Sequence, residues 1–214
     1  MTRILGVDFS GASDAGRKIW VAEGQLSDNG ALQLSQCVPA MALPGGGVRP
    51  EQAGPALARY VATFADARVG CDFPFSLPRD LVTARSWRSF ALRYAAEFAD
   101  ADSFRAIMRS RHNAIEHKRM TDRIAGTPFN AYNLRLYRQT WWGITGLLGP
   151  LVRAGRAVVR PQQKPRAGKP AVGVEHEDVV NVPGEVDHHG RVAGLTGEAR
   201  ATAAAHDRSA ERAT

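Results

Sequence analysis

Apolar positions follow two rhythms along this chain, crowded or alternating up to about residue 40 and spaced by threes and fours beyond residue 50. Residues 3–9, with Ile4, Leu5, Val7 and Phe9, form a nearly unbroken apolar run and predict a central strand. After the turn between Gly11 and Gly16, residues 17–22 predict a second strand, and residues 31–38 alternate as a third. Three consecutive strands with short turns make an antiparallel meander, which Pro44-Gly45-Gly46-Gly47 ends. Pro50 suits the first position of a helix whose apolar face carries Ala53, Leu57, Tyr60, Val61 and Phe64. A strand at 68–73 follows, placed parallel to the first. Helices are expected at 79–98 and 103–112, and the strongest at 131–152, where Tyr137, Trp141, Ile144, Leu148 and Leu151 form one stripe. Trp142 leaves that stripe and is expected to pack beneath the 74–78 loop. Gly155 stops the helix, and residues 156–160 offer a last short strand.

Past Lys164 the pattern ends. Residues 165–214 contain no Phe, Trp, Tyr, Ile or Met, a single Leu, and four of the six histidines. Such a segment buries too little apolar surface to offset an ordering entropy of roughly 1–2 kcal/mol per residue, so disorder is expected. The domain reading is one α/β domain over 1–164 and a tail over 165–214. The abrupt loss of aromatic residues, with a gain in Ala, Arg, Gly and His, is also what a shifted reading frame in GC-rich DNA produces.

No apolar run approaches the roughly 18–20 residues of a membrane span. Asp8 interrupts the first apolar stretch too early for a signal peptide, so no membrane partner and a cytoplasmic location are expected. Cys37 and Cys71 lie in predicted strands without metal-type spacing and read as small core residues. The net charge of +7 is uneven: residues 1–164 hold 22 basic and 13 acidic groups, while the tail holds six and eight. A basic surface of this kind attracts polyanions, nucleic acid first among them.

Two acids stand out. Asp8 ends the first apolar strand, and Asp72 ends the strand at 68–73. A carboxylate at an apolar strand is costly unless it is paired, hydrogen-bonded or coordinating a cation. A meander, a helix, a parallel strand and further helices are the layout of a ribonuclease H-like mixed sheet, in which the first and fourth strands are neighbours. Asp8 and Asp72 would then face each other and repel unless a hard cation such as Mg²⁺ or Mn²⁺ bridges them. Downstream, Arg105, Arg109, Arg111, Lys118 and Arg123 form a basic segment suited to a nucleic-acid backbone. Arg119 and Asp122, three apart, have the spacing of a pair on a helix surface.

Gly6-Val7-Asp8-Phe9-Ser10-Gly11-Ala12, Cys71-Asp72-Phe73-Pro74-Phe75-Ser76-Leu77-Pro78, Arg119-Met120-Thr121-Asp122 and Tyr137-Arg138-Gln139-Thr140-Trp141-Trp142-Gly143 resemble the four signatures of the domain-of-unknown-function family numbered 429. That family is described as predicted nucleases of the ribonuclease H-like fold. The resemblance runs from residue 3 to about 172 and implies metal-dependent phosphodiester hydrolysis, with Asp8 and Asp72 as catalytic and metal-binding acids. It also implies that Arg119 and Asp122 lie near the same cleft. The family pattern continues into a C-terminal helix bearing further acids; here it ends after Lys169-Pro170-Ala171-Val172, and Glu51 is the candidate for a missing ligand. Two other readings stand beside the nuclease: an actin-like phosphotransferase or ATPase, which would need a second duplicated domain, and a catalytically inert nucleic-acid-binding or truncated module.

Overall fold

The computed structural model describes residues 1–111, 113, 115–160, 162–163 and 171–174. It is an α/β protein built on a six-stranded mixed sheet of order β3-β2-β1-β4-β6-β5. Strand β1 (Thr2–Asp8) pairs antiparallel with β2 (Trp20–Leu26), and β2 pairs antiparallel with β3 (Leu32–Pro39), so the expected meander is present. On its other side β1 pairs in parallel with β4 (Arg68–Cys71).

The second strand begins later than its residue pattern implies. Residues Ala15–Lys18 form a single helical turn, α1, closed by Ile19 N–H to Ala15 O at 2.7 Å and by a Lys18–Asp14 ion pair at 3.1 Å. Gly16 makes the turn possible: a Cβ there would sit 1.9 Å from Gly47 O, and its N–H donates to Val48 O. Helix α2 (Pro50–Ala62) matches the expected helix, burying Ala53, Leu57 and Val61.

Local caps displace the other helix boundaries. Residues Arg79–Leu81 make only one 3-10 turn, and α3 (Trp87–Glu97) starts where Ser86 Oγ accepts from Ser89 N–H. Helix α4 (Ala101–Arg111) starts two residues before the expected position because Asp100 and Ser103 cap each other's backbone N–H. A short helix α5 (Met120–Ile124) follows. The long helix expected from 131 begins at Tyr137, since the side chains of Asn130 and Asn133 accept from Tyr132 and Arg135 N–H and hold the preceding residues in turns. It then runs as α6 (Tyr137–Trp142), a π-helical segment over Gly143–Leu148, and α7 (Gly149–Arg153), ending at Gly155 with φ +59°. The π segment packs backbone to backbone on α2: a Cβ on Gly54 would lie 3.2 Å from Gly146 Cα.

The helices bury one face of the sheet. Leu5, Val7, Val21, Val69, Cys71, Val159 and Val172 belong to one core with Leu57, Val61, Phe73, Tyr94, Phe104 and Leu147. The opposite side of β1 carries Ile4, Gly6 and Asp8, none of them buried, so β1 is covered on one face and not on both. Cys71 is a core thiol as expected, whereas Cys37 is exposed, because β3 is an edge strand whose first six residues are all exposed. Trp141 and Trp142 are both half-buried against the core and meet edge to face with centroids 4.7 Å apart.

Composition placed the end of the domain at 164, yet Ala171–Val174 forms strand β6, between β4 and β5 (Val158–Val159) and parallel to both. A short segment entering a sheet needs few apolar side chains of its own, because its backbone groups are satisfied by two neighbours and Val172 fills the shared core. The expected disorder of residues 175–214 concerns positions outside the described residues. A chain ended after Pro170 removes β6 and leaves β5 without a partner, so we expect it to lose its cooperative thermal transition by circular dichroism. Among the described residues no helix is long and apolar enough to cross a membrane.

Candidate functional site

The parallel register Val7↔Cys71 brings the next residues of both strands, Asp8 and Asp72, side by side on the uncovered face of the sheet. Asp72 N–H donates to Val7 O at 3.4 Å, carrying the parallel ladder one step beyond β4. Phe9 N–H donates to Asp72 Oδ1 at 2.6 Å, so the strand bearing one acid fixes the carboxyl of the other.

A third element reaches the pair. Gln139, in the first turn of α6, donates from Nε2 to the main-chain oxygen of Asp72 at 2.8 Å and to its Oδ1 at 3.4 Å. The approach depends on Gly11, where a Cβ would sit 2.4 Å from Gln139 N and 2.7 Å from Arg138 Cβ. Beneath the site, Phe73 stacks on Phe9 and Phe75 with centroids 4.7 and 4.9 Å away, and Gly143 gives its ring room.

The electrostatics follow from this placement. Asp72 has an exposed residue surface, but its carboxyl is partly withdrawn from water between the loop and α6. That desolvation pushes its pKa up to about 6, and the Asp8 carboxylate pushes in the same direction by charge and by accepting a hydrogen bond from the protonated form; the Phe9 N–H pulls it down. Two neighbouring carboxyls make a hard, all-oxygen donor set. Mg²⁺ is commonly held by one or two carboxylates with water completing its shell, so Asp8 and Asp72 fit such an ion.

The other candidates are elsewhere. Among the described residues no group of three or more His, Cys, Asp or Glu is poised for a metal, so neither Glu51 nor Asp122 joins the pair. Glu51 sits exposed in the first turn of α2 beside Arg49, at 3.8 Å, where the helix start faces solvent. Asp122 is buried and answers to Arg119: the carboxylate accepts from Arg119 N–H at 2.9 Å and from its guanidinium, capping α5. The spacing of three is thus a local cap.

The basic segment is largely engaged within the fold. Arg111 donates to Glu97 at 2.8 Å and to Leu81 O at 3.2 Å, Lys118 to Thr127 O at 2.6 Å, and Arg105 lies over the Tyr137 ring. Arg123 meets His117 Nε2 at 3.2 Å at the surface. Arg109 is exposed and without an ion pair among the described residues. Counting charges along a sequence cannot reveal such partners. Nor does any sequence rule single out Gln139, an uncharged residue outside metal-ligand types, or Arg138, whose guanidinium is exposed near Asp102 at 3.6 Å. A scan of protein-family models, a search of curated proteins and a search of solved structures each return no match.

Proposed function

We propose that this chain is a metal-dependent phosphodiesterase of the ribonuclease H-like fold, acting on nucleic acid, as its resemblance to family 429 implies. The observation that carries the reading is the in-register carboxyl pair of Asp8 and Asp72 at the ends of the two parallel central strands. The sheet order supports it, with an antiparallel meander on one side of β1 and parallel strands on the other.

Asp8 and Asp72 would hold Mg²⁺ or Mn²⁺, which when bound supplies charge stabilisation at phosphorus and lowers the pKa of water. The residues themselves prepare the site. Phe9 N–H and Gln139 occupy Oδ1 of Asp72, which orients the carboxyl and leaves its second oxygen and the Asp8 carboxylate as acceptors. Arg138 meets the acid loop at Gly11 through its main chain and Cβ, while its guanidinium lies beside Asp102 and over the Tyr137 ring; Arg109 and Arg123 would offer exposed charge to a phosphate backbone. Arg105, Arg111 and Lys118 act chiefly through packing and internal bonds.

The test is direct. Purified protein is incubated with labelled single- and double-stranded DNA and RNA, with Mg²⁺, with Mn²⁺ and with chelator. Metal-dependent cleavage that disappears in Asp72→Asn is the expected result. Absence of cleavage on all four substrates, in protein that binds the metal, overturns the reading.

A further inference from the structure

Of the four tryptophans, Trp87, Trp141 and Trp142 pack against the core, and the first two donate their indole N–H to Phe75 O at 2.8 Å and Phe98 O at 3.2 Å. Trp20 does neither. It is 43% exposed, and among the described residues its indole has no hydrogen-bond or ring partner. It opens β2 at the register position directly opposite Asp8. Side chains paired in this way project from the same face of the sheet with Cβ atoms about 5 Å apart. The indole therefore flanks the acid pair on its β2 side, as Asp72 flanks Asp8 on the β4 side.

The surface around the ring is open. Two residues further along each strand, the same face carries Gly70, Gly6 and Ala22, none of them buried, so on β4, β1 and β2 no side chain larger than a methyl group stands beside the indole. A flat molecule can lie on the ring and still reach the carboxyls.

Charge narrows the ligand. Residues 1–164 hold 22 basic and 13 acidic groups, and Arg17 and Lys18 lie exposed in α1 just before Trp20. Lys18 pairs with Asp14 at 3.1 Å, whereas Arg17 makes no ion pair among the described residues. A ring beside a metal-fitting acid pair and a free cation suits a nucleotide, which brings a flat base and a phosphate together. A neutral sugar could lie on the same ring but gains nothing from the basic surface.

Resting on the phosphodiesterase reading above, we infer that Trp20 is a base-stacking residue and that the substrate is single-stranded nucleic acid, with the base next to the scissile phosphate laid on the indole. Trp20 and Asp8 are adjacent positions, so a single nucleotide bridges them. In a duplex each base is already paired and stacked on its neighbours, and only an unpaired strand can turn one onto the ring without breaking those contacts.

The full chain is titrated with labelled oligothymidylate and oligouridylate, each alone and in duplex with oligoadenylate, in chelator so that nothing is cut. The wild type should bind the single strands more tightly than the duplexes. Trp20→Ala should weaken single-strand binding by about tenfold or more and leave its salt dependence unchanged, because the phosphate contacts remain. Trp20→Phe keeps a ring and should recover most of the affinity. The proposal is overturned by a preference for duplex, by no binding to either strand, by Trp20→Ala binding like the wild type, or by equal loss in both variants. Cleavage in Mg²⁺ separates this inference from the reading beneath it. Cutting that Trp20→Ala leaves at the same KM removes the stacking role alone, whereas stacking without any cutting removes the phosphodiesterase and leaves the ring contact standing.

Discussion

Asp8→Asn should raise the melting temperature in the absence of divalent metal while abolishing both the stabilisation by Mg²⁺ and the cleavage activity. Removing the Asp8 charge relieves its repulsion of Asp72. For a pair this exposed, solvent screening reduces the gain to about 1 kcal/mol, or roughly 2–4 °C in a protein of this size. The pH dependence gives a second check. Because the folded pKa of Asp72 is raised to about 6, its contribution to stability is fully present below the ordinary carboxylate range and is lost as pH rises through about 6. The drop should shrink in Asp8→Asn, where only desolvation holds the pKa up. Asp14 and Asp102, whose pKa values are lowered chiefly by hydrogen bonds from Lys18 and Tyr137, act in the opposite direction in both proteins and cancel in the comparison. Activity should fall by about two orders of magnitude or more, as when a group that stabilises developing charge is removed. An unchanged metal response, read as the shift of melting temperature with Mg²⁺, would detach Asp8 from any metal.

Gly11→Ala should be the most damaging single-methyl change near the site. Its Cβ would lie 2.4 Å from Gln139 N and 2.6 Å from Arg138 C, backbone atoms that cannot swing aside as a side chain can. Either the acid loop or α6 must retreat, at about 2–3 kcal/mol for a forced shift in packed structure, lowering the melting temperature by roughly 5–10 °C. The retreat separates Gln139 from Asp72, so the response to Mg²⁺ should weaken too. A variant that melts with the wild type would show that the loop and the helix are not in this contact.

The sequence was readable where each residue's role depends on its near neighbours. The meander, α2 and the parallel strand after it follow from apolar spacing and turn residues, and the two strand-end acids could be found because an ionisable group interrupts each apolar run. What escaped depends on partners far along the chain. Residues 15–18 turn helical because Gly16 backs onto Gly47 and Val48. Arg111 looks available until α3 supplies Glu97, and Asp122 looks catalytic until its carboxylate is seen to close the first turn of α5. Gln139 reaches Asp72 across 67 positions. Ala171–Val174 was hidden for a different reason: four residues give too short a pattern to stand out from the composition around them.

The place of β6 also sets the order in which the chain can assemble. β1 to β3 follow one another within the first 39 residues, and their contacts can form as soon as those residues exist, whereas β5 pairs with the sheet through a strand made later. During synthesis, residues 158–159 must therefore wait beside an open edge of β4 until residues 171–174 emerge and insert between them. The edge of β4 is covered only once those residues are made, which makes that interval a period of exposure to misassociation that the finished fold does not share.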